Sequence, residues 1–206
     1  IEMEVRLIQC TPNPIETISR IASICYDSDP KNPMKLVKHL YRCGHHSVFE
    51  HVYLTFYIDG ISRVCSHQLV RHRHCTFTQR SQRYCDESHS AFIYPKSCFP
   101  NDAYGFVTAI NREQYESMCE SGIPKEDARY ILPNACTTSL YMSCNFRELM
   151  HICSLRLCKR AQWEIKEVVE KMKELVPQEL QQFLVPACGQ PWYKCLDTSC
   201  SNNKER

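Results

Sequence analysis

Apolar side chains recur at helical spacing early in the chain. Ile15, Ile18, Ile21 or Ala22, and Cys25 fall on one face and predict a helix over about 15–25. A second helix carries its own punctuation. Asn32 suits an N-cap, Pro33 the first turn and Gly44 the stop, around a stripe of Leu36, Val37, Leu40 and Tyr41. Val52 to Ile58 is β-branched and aromatic, which predicts a strand, and Asp59-Gly60 reads as a turn. Helical spacing resumes at Ile61, Val64, Cys65, Gln68 and Leu69. That helix delivers Arg71, His72 and Arg73 at its C-terminal end, where the backbone dipole favours cations.

Residues 86–104 are rich in Ser, Pro, Asp and Asn and read as a loop, a candidate cover for an active site. A helix is expected over about 102–121, broken by Gly122-Ile123-Pro124, with another beginning over Lys125 to Leu132. The longest predicted helix runs from Asn145 to about Leu175, opened by Asn145 with Glu148 as a capping box. Pro177 ends it and opens a short helix to about Leu184. At about 100° per residue, Asn145 and Arg156 share a face of that helix, Arg160 lies within about 60°, and Arg147 lies opposite. Such a helix presents ligand-binding groups to two sites. The expected fold class is α+β, a central antiparallel-type sheet flanked by helices with a long C-terminal helix block.

Composition narrows the function classes. The chain has 206 residues, 43% hydrophobic and 23% charged, which suits one soluble domain over 1–206 with a flexible cysteine-containing tail over 186–206. Net charge is +2, too little for a general nucleic-acid binder. No apolar run reaches membrane-spanning length, and the first residues lack a signal-peptide core. Ile1 is an unusual first residue, and a start at Met3 or a trimmed end is the expectation. Fifteen cysteines occur without any Cys-x-x-Cys pair, so no metal site is expected. Most read as small core hydrophobes in a reducing cytoplasm, with Cys25, Cys65 and Cys153 as examples. Cys188, Cys195 and Cys200 leave a weak metal or redox site in the tail open. Five glycines and no Gly-x-Gly-x-x-Gly or Gly-x-x-x-x-Gly-Lys exclude a Gly-rich phosphate cradle. Any nucleotide must be gripped by side chains, chiefly arginine.

The chemistry concentrates in Arg71-His-Arg-His-Cys-Thr-Phe-Thr-Gln-Arg-Ser-Gln-Arg-Tyr84, with four arginines, two histidines and no acid. Arginine is rarely buried unpaired, and its planar fork suits phosphate and other planar anionic groups. A basic surface loop, or an RNA- or DNA-binding module using the same arginines and aromatics, is the rival reading. A metal-binding or redox-sensing protein is a second rival, and the missing ligand spacings count against it.

The order Arg71-His72-Arg73, two residues, Thr76, four residues, Ser81, one residue, Arg83 resembles the signature of the flavin-dependent thymidylate synthases, with Thr76 where that signature has Ser. Gly44-His45-His46-Ser47-Val48-Phe49-Glu50-His51, Ala128-Arg129-Tyr130-Ile131-Leu132-Pro133, and the block from Asn145 through Arg156 to Glu164 resemble that family in the same order. The resemblance implies reductive methylation of dUMP to dTMP in the cytoplasm, with 5,10-methylenetetrahydrofolate as carbon donor and NADPH-reduced FAD as hydride source. It implies a homotetramer with active sites between subunits, acting on small molecules rather than nucleic acid or membrane.

By position, the resemblance implies that His45, Ser47, Arg71, His72, Arg73, Gln79, Asn145, Arg147 and His151 hold FAD. It implies Gln68, Arg71, Gln79, Arg80, Ser81, Gln82, Arg83, Arg129 and Arg156 for dUMP. Arg156 is the expected catalytic group, beside the uracil N3 and O4, where a guanidinium favours the ionised base. His151 stands where the family often has Asn, and Gln79 where it often has Glu, which keeps the shape and loses the charge. Ser81 has no base–orienter pair beside it in sequence and is expected to bind phosphate, not to form a covalent intermediate. No cysteine is marked as a nucleophile.

Overall fold

Strand β4 (Thr137–Asn145) lies inside a four-stranded antiparallel sheet of order β1-β2-β4-β3. The partners are β1 (Glu4–Cys10), β2 (Tyr53–Ser62) and β3 (Cys75–Gln79). In this computed structural model, residues 2–99, 102–197 and 200 are described. Along β4 the buried positions are Thr138, Leu140, Met142 and Cys144, the period-two pattern of a strand with one covered face. β3 has the exposed alternation of a sheet edge, so the basic motif contributes an edge strand.

Eight α-helices accompany the sheet among the described residues: α1 (Pro14–Ser23), α2 (Pro33–Arg42), α3 (Arg63–Leu69), α4 (Asp102–Glu120), α5 (Lys125–Ala128), α6 (Phe146–Arg156), α7 (Trp163–Leu175) and α8 (Gln178–Gln181). The α+β class is as expected. None of these helices is long and apolar enough to cross a membrane. Asn32 caps α2 by accepting from the Lys35 N–H at 3.0 Å, and Gly44 follows that helix at φ +76°. Asn145 likewise caps α6, accepting from the Glu148 N–H at 2.8 Å.

The described residues gather into two compact units built from separated segments. Ile58–Arg71 and Thr78–Leu140 belong to the first, Val5–Tyr57, His72–Phe77 and the chain from Tyr141 to the second. Tyr115 is fully buried in the first unit, where its hydroxyl accepts from the Glu87 N–H at 3.3 Å. In the second, Phe49 is fully buried with its ring 6.1 Å from Phe146 and 5.8 Å from Phe183. The Phe146 N–H donates to the Val52 carbonyl at 2.7 Å, which fixes the start of α6 beside the entry to β2.

Several expectations need correction. Asp59-Gly60 is not a turn. β2 runs through it, with Gly60 at φ +69° and its N–H held by Asp59 Oδ1 at 2.8 Å. The burial alternation slips by one residue there, as it does when one extra residue enters a strand. The single helix from Asn145 to Leu175 is two helices. α6 stops at Arg156, and α7 begins after Gln162, whose Oε1 accepts from the Glu164 and Ile165 N–H groups, both at 3.1 Å. Arg160 therefore lies off the α6 face and pairs with Asp197 at 2.7 Å. The helix expected over Lys125 to Leu132 is the short α5 followed by a 3-10 turn over Arg129–Ile131.

All fifteen cysteines are free thiols, but only Cys65, Cys136, Cys144 and Cys153 are buried. Cys25 is exposed because α1 ends at Ser23 and the following 3-10 turn carries it off the buried face. Burial pushes the Cys136 thiol up to about 11 and Cys153 up to about 12, so neither is a thiolate at neutral pH. Within the segment expected as a flexible tail, a 3-10 turn spans Ala187–Gly189, and the Trp192 ring lies 4.7 Å from His46 and 5.0 Å from Tyr41. Residues 198, 199 and 201–206 of that tail, and Ile1, lie outside the described residues.

Candidate active site

In the second unit, α6 supplies most of a cavity of about 470 Å3 lined by Glu50, His74, Asn145, Arg147, Glu148 and His151. The first turns of α6 bring Asn145, Arg147 and Glu148 to one end, and His151 follows one turn on. Arg147 is exposed and ion-paired with Glu50 of the Gly44–His51 segment. Below them lies His72, buried, with Nδ1 3.6 Å from Glu148 Oε1 and its ring 6.1 Å from that of His151. Arg156, at the end of α6, donates from Nε to His72 Nε2 at 3.1 Å. Two segments more than seventy residues apart in sequence thus meet at one His–Arg contact. His45, Ser47 and Arg73 are exposed in this unit.

The contact fixes the state of His72. An imidazole that accepts at Nε2 is neutral, with its proton on Nδ1 facing Glu148. Burial, then the Arg156 guanidinium, then His151 hold His72 down at about 4. Burial also pushes the Glu148 carboxyl up, against the pull of His151 and His74. His72, Glu148 and His151 bring three potential metal-ligand atoms within 4.8 Å of one another. The Arg156 guanidinium bonded to His72 opposes a further cation there.

A pH dependence follows. The unfolded chain takes up a proton on His72 near 6.5, which the folded chain refuses until about 4. The unfolded state therefore binds more protons across that window, and stability falls as pH drops through it and levels off below. His72→Gln is expected to flatten that part of the profile. Urea midpoints of both proteins across the window check this, and parallel profiles would contradict it.

The first unit carries a different cavity, about 520 Å3, lined by Arg63, His67, Gln82, Arg129, Tyr130, Leu132, Pro133 and Asn134. Arg63 and His67 sit one turn apart on α3, so they share a face. Arg129 is steadied by its own Nε, which donates to the Glu126 carbonyl at 3.0 Å. Arg80 is held by Glu87 at 3.2 Å and by the Asp86 carbonyl at 2.9 Å. Glu87 is almost fully buried and also accepts from the Ser90 hydroxyl. The segment after the motif is thereby anchored, with Arg112 donating to the Ser90 carbonyl at 2.8 Å. Arg83 pairs with Glu126 at 2.8 Å, and Ser81 Oγ accepts from the Arg83 N–H at 3.2 Å. Gln79 donates to Ser66 Oγ at 3.0 Å and Thr138 Oγ1 at 3.2 Å. Ser66 spends its own proton on the Arg63 carbonyl, so an amide donor fits this position.

The expected residues thus divide. His45, Ser47, His72, Arg73, Asn145, Arg147, His151 and Arg156 belong to the second unit, and Gln68, Arg71, Gln79, Arg80, Ser81, Gln82, Arg83 and Arg129 to the first. Of the nucleotide set, only Gln82 and Arg129 line the first unit's cavity; of the flavin set, Asn145, Arg147 and His151 line the second's. Glu50, His74, Glu148, Arg63 and His67 also line these cavities, outside the residues that the sequence motifs indicate. Arg63 and His67 carried a signal, since they precede Arg71 at eight and four residues on a helical face.

Each unit offers a cavity of nucleotide scale walled by Arg, His, Asn or Gln, with no Gly-rich loop. This is an α+β protein whose two cavities are walled by cationic and amide side chains. Residues 6–180 match the family model described as thymidylate synthase complementing protein, and the chain belongs to that family. The flavin-dependent thymidylate synthase of Thermococcus onnurineus is 39% identical over 216 residues, spanning 93% of this chain and 88% of that protein. That of Pyrococcus furiosus is 41% identical over 190 residues, spanning 84% and 78%. The Helicobacter pylori thymidylate synthase ThyX, crystallised with FAD and dUMP, shares the fold at a TM-score of 0.77 over 89% of this chain and 97% of that one, at 22% identity.

Proposed function

We propose that this chain is a flavin-dependent thymidylate synthase, converting dUMP to dTMP with 5,10-methylenetetrahydrofolate as the carbon donor and NADPH as the reductant. The observation that carries the reading is the meeting of the motif residue His72 with Arg156, beside the cavity lined by Asn145, Arg147 and His151. Membership of the family and the names of its relatives support the same conclusion.

The donor set suits FAD. Asn145 and His151 offer hydrogen bonds to a heterocycle edge, and Arg147 offers charge to a pyrophosphate. His45, Ser47, Arg71, His72, Arg73 and Gln79 complete the proposed cofactor set. When bound, FAD carries the two reducing equivalents from NADPH that complete the methyl group. The protein supplies orientation and electrostatics. Neutral His72 accepts from Arg156 Nε and so fixes the plane of its guanidinium; Arg156 stabilises negative charge on the uracil as C5 attacks carbon. Gln68, Arg71, Gln79, Arg80, Ser81, Gln82, Arg83 and Arg129 bracket the nucleotide, with Ser81 as a phosphate ligand. The chain works as one synthase domain in a cytoplasmic homotetramer, with active sites between subunits.

The purified protein should retain FAD through gel filtration, and its visible absorbance should bleach when NADPH is added without oxygen in the presence of dUMP. A protein that neither carries nor takes up FAD would remove this reading and favour a nucleic-acid module.

A further inference from the structure

The register between β3 and β4 is set by one bond, from the Arg80 N–H to the Ser139 carbonyl at 2.9 Å. Counting back from it along antiparallel strands sets Gln79 opposite Leu140, Phe77 opposite Met142 and Cys75 opposite Cys144. Burial agrees. The even positions Thr138 to Cys144 are buried in β4, and the odd positions Cys75, Phe77 and Gln79 are the half-buried ones in β3. Both cysteines therefore lie on one face. Hydrogen-bonded and open pairs alternate along such a ladder, so Cys75–Cys144, five positions from the bonded pair, is an open one. The Cα atoms of an open pair stand about 4.5 Å apart, inside the range of about 4.4–6.8 Å that a disulfide spans. The two thiols hydrogen-bond to each other. That contact and then burial push the Cys144 thiol well above its ordinary range.

The proposed synthase reaction uses neither thiol. We propose that Cys75 and Cys144 are a redox-active pair, which a hydroperoxide oxidises to a disulfide joining β3 to β4. Cys75 is partly exposed and Cys144 is 2% exposed, so an oxidant in solution meets Cys75 first. The Cys75 sulfur attacks a peroxide oxygen, the O–O bond breaks, and a sulfenic acid forms with release of water or an alcohol. The Cys144 sulfur then displaces hydroxide from that sulfur, and its own proton leaves with the hydroxide as water. Two thiols are oxidised and one peroxide is reduced. Cys75 follows His74 and Cys144 precedes Asn145, both of which line the cavity at α6, so the link pins two parts of one wall.

Reduced, full-length protein treated with hydrogen peroxide, alkylated and cut with trypsin tests this. Cys75 is the one cysteine of peptide 74–80, whereas peptide 130–147 carries Cys136 and Cys144. The two peptides should be found joined, with fragmentation placing the bond at Cys144, and dithiothreitol should separate them. The link closes a loop of about seventy residues, so oxidation should raise the urea midpoint by about 1 M, and Cys75→Ala should abolish both the link and the rise. Cys153 also bears on Cys144 and is a rival partner. A Cys144–Cys153 bond, or Cys75 carried on to a sulfinic acid without a bond, overturns the pairing. A midpoint that rises equally in Cys75→Ala overturns its stabilising role.

Discussion

Arg156→Lys is expected to lower kcat about 10²- to 10³-fold while leaving FAD retention nearly unchanged. The guanidinium at the end of α6 donates from Nε to His72 Nε2 at 3.1 Å, which fixes its plane. A lysine keeps the charge but loses the fork, so it cannot both satisfy His72 and present a second, in-plane pair of donors to a uracil edge. Groups that stabilise charge only in the transition state affect kcat more than ground-state binding. Steady-state kinetics at saturating dUMP, alongside flavin absorbance of the isolated variant, separates the two effects. A rise in KM with kcat intact would assign Arg156 to binding rather than catalysis.

Phe49→Ala is expected to destabilise the fold by about 3–5 kcal/mol, the range for removing a fully buried ring. Phe49 is inaccessible and touches rings from three other parts of the second unit, Tyr41, Phe146 and Phe183. It lies in the 3-10 turn Ser47–His51, between Ser47 and Glu50, the partner of Arg147. Loss of the ring should therefore also loosen FAD. Phe49→Leu, which fills more of the space, should cost less than half as much. Urea unfolding at one fixed protein concentration reads both, and a cost below about 1 kcal/mol for Phe49→Ala would show that Phe49 does not hold this core together.

What could be read from the sequence depended on how locally each feature is determined. Asn32 and Asn145 were readable as caps because a short side chain bonding to an N–H three residues on is a local event. The break between α6 and α7 was not, because no Gly or Pro marks it. It rests on the Gln162 side chain folding back on two amides, a role for which Gln has little intrinsic preference. β4 is hard to read from the sequence although its burial alternates regularly, since Thr138 and Cys144 stand where a strand pattern usually shows Val or Ile.

The site shows the same division. The basic motif is contiguous in sequence, yet Arg71 belongs to one unit and His72 and Arg73 to the other. The pairing of His72 with Arg156 spans eighty-four positions, and spacing along the chain carries no trace of it. The residues that neutralise the motif arginines were equally hidden, because Glu87 and Glu126 lie in segments read as loop or helix start.

The most direct measurement is dTMP formation from dUMP by the purified, FAD-loaded protein, with NADPH and 5,10-methylenetetrahydrofolate supplied together and each omitted in turn. Product is expected only when all are present. Product formed without flavin or without NADPH, or none formed by a protein shown to hold both FAD and dUMP, would contradict it.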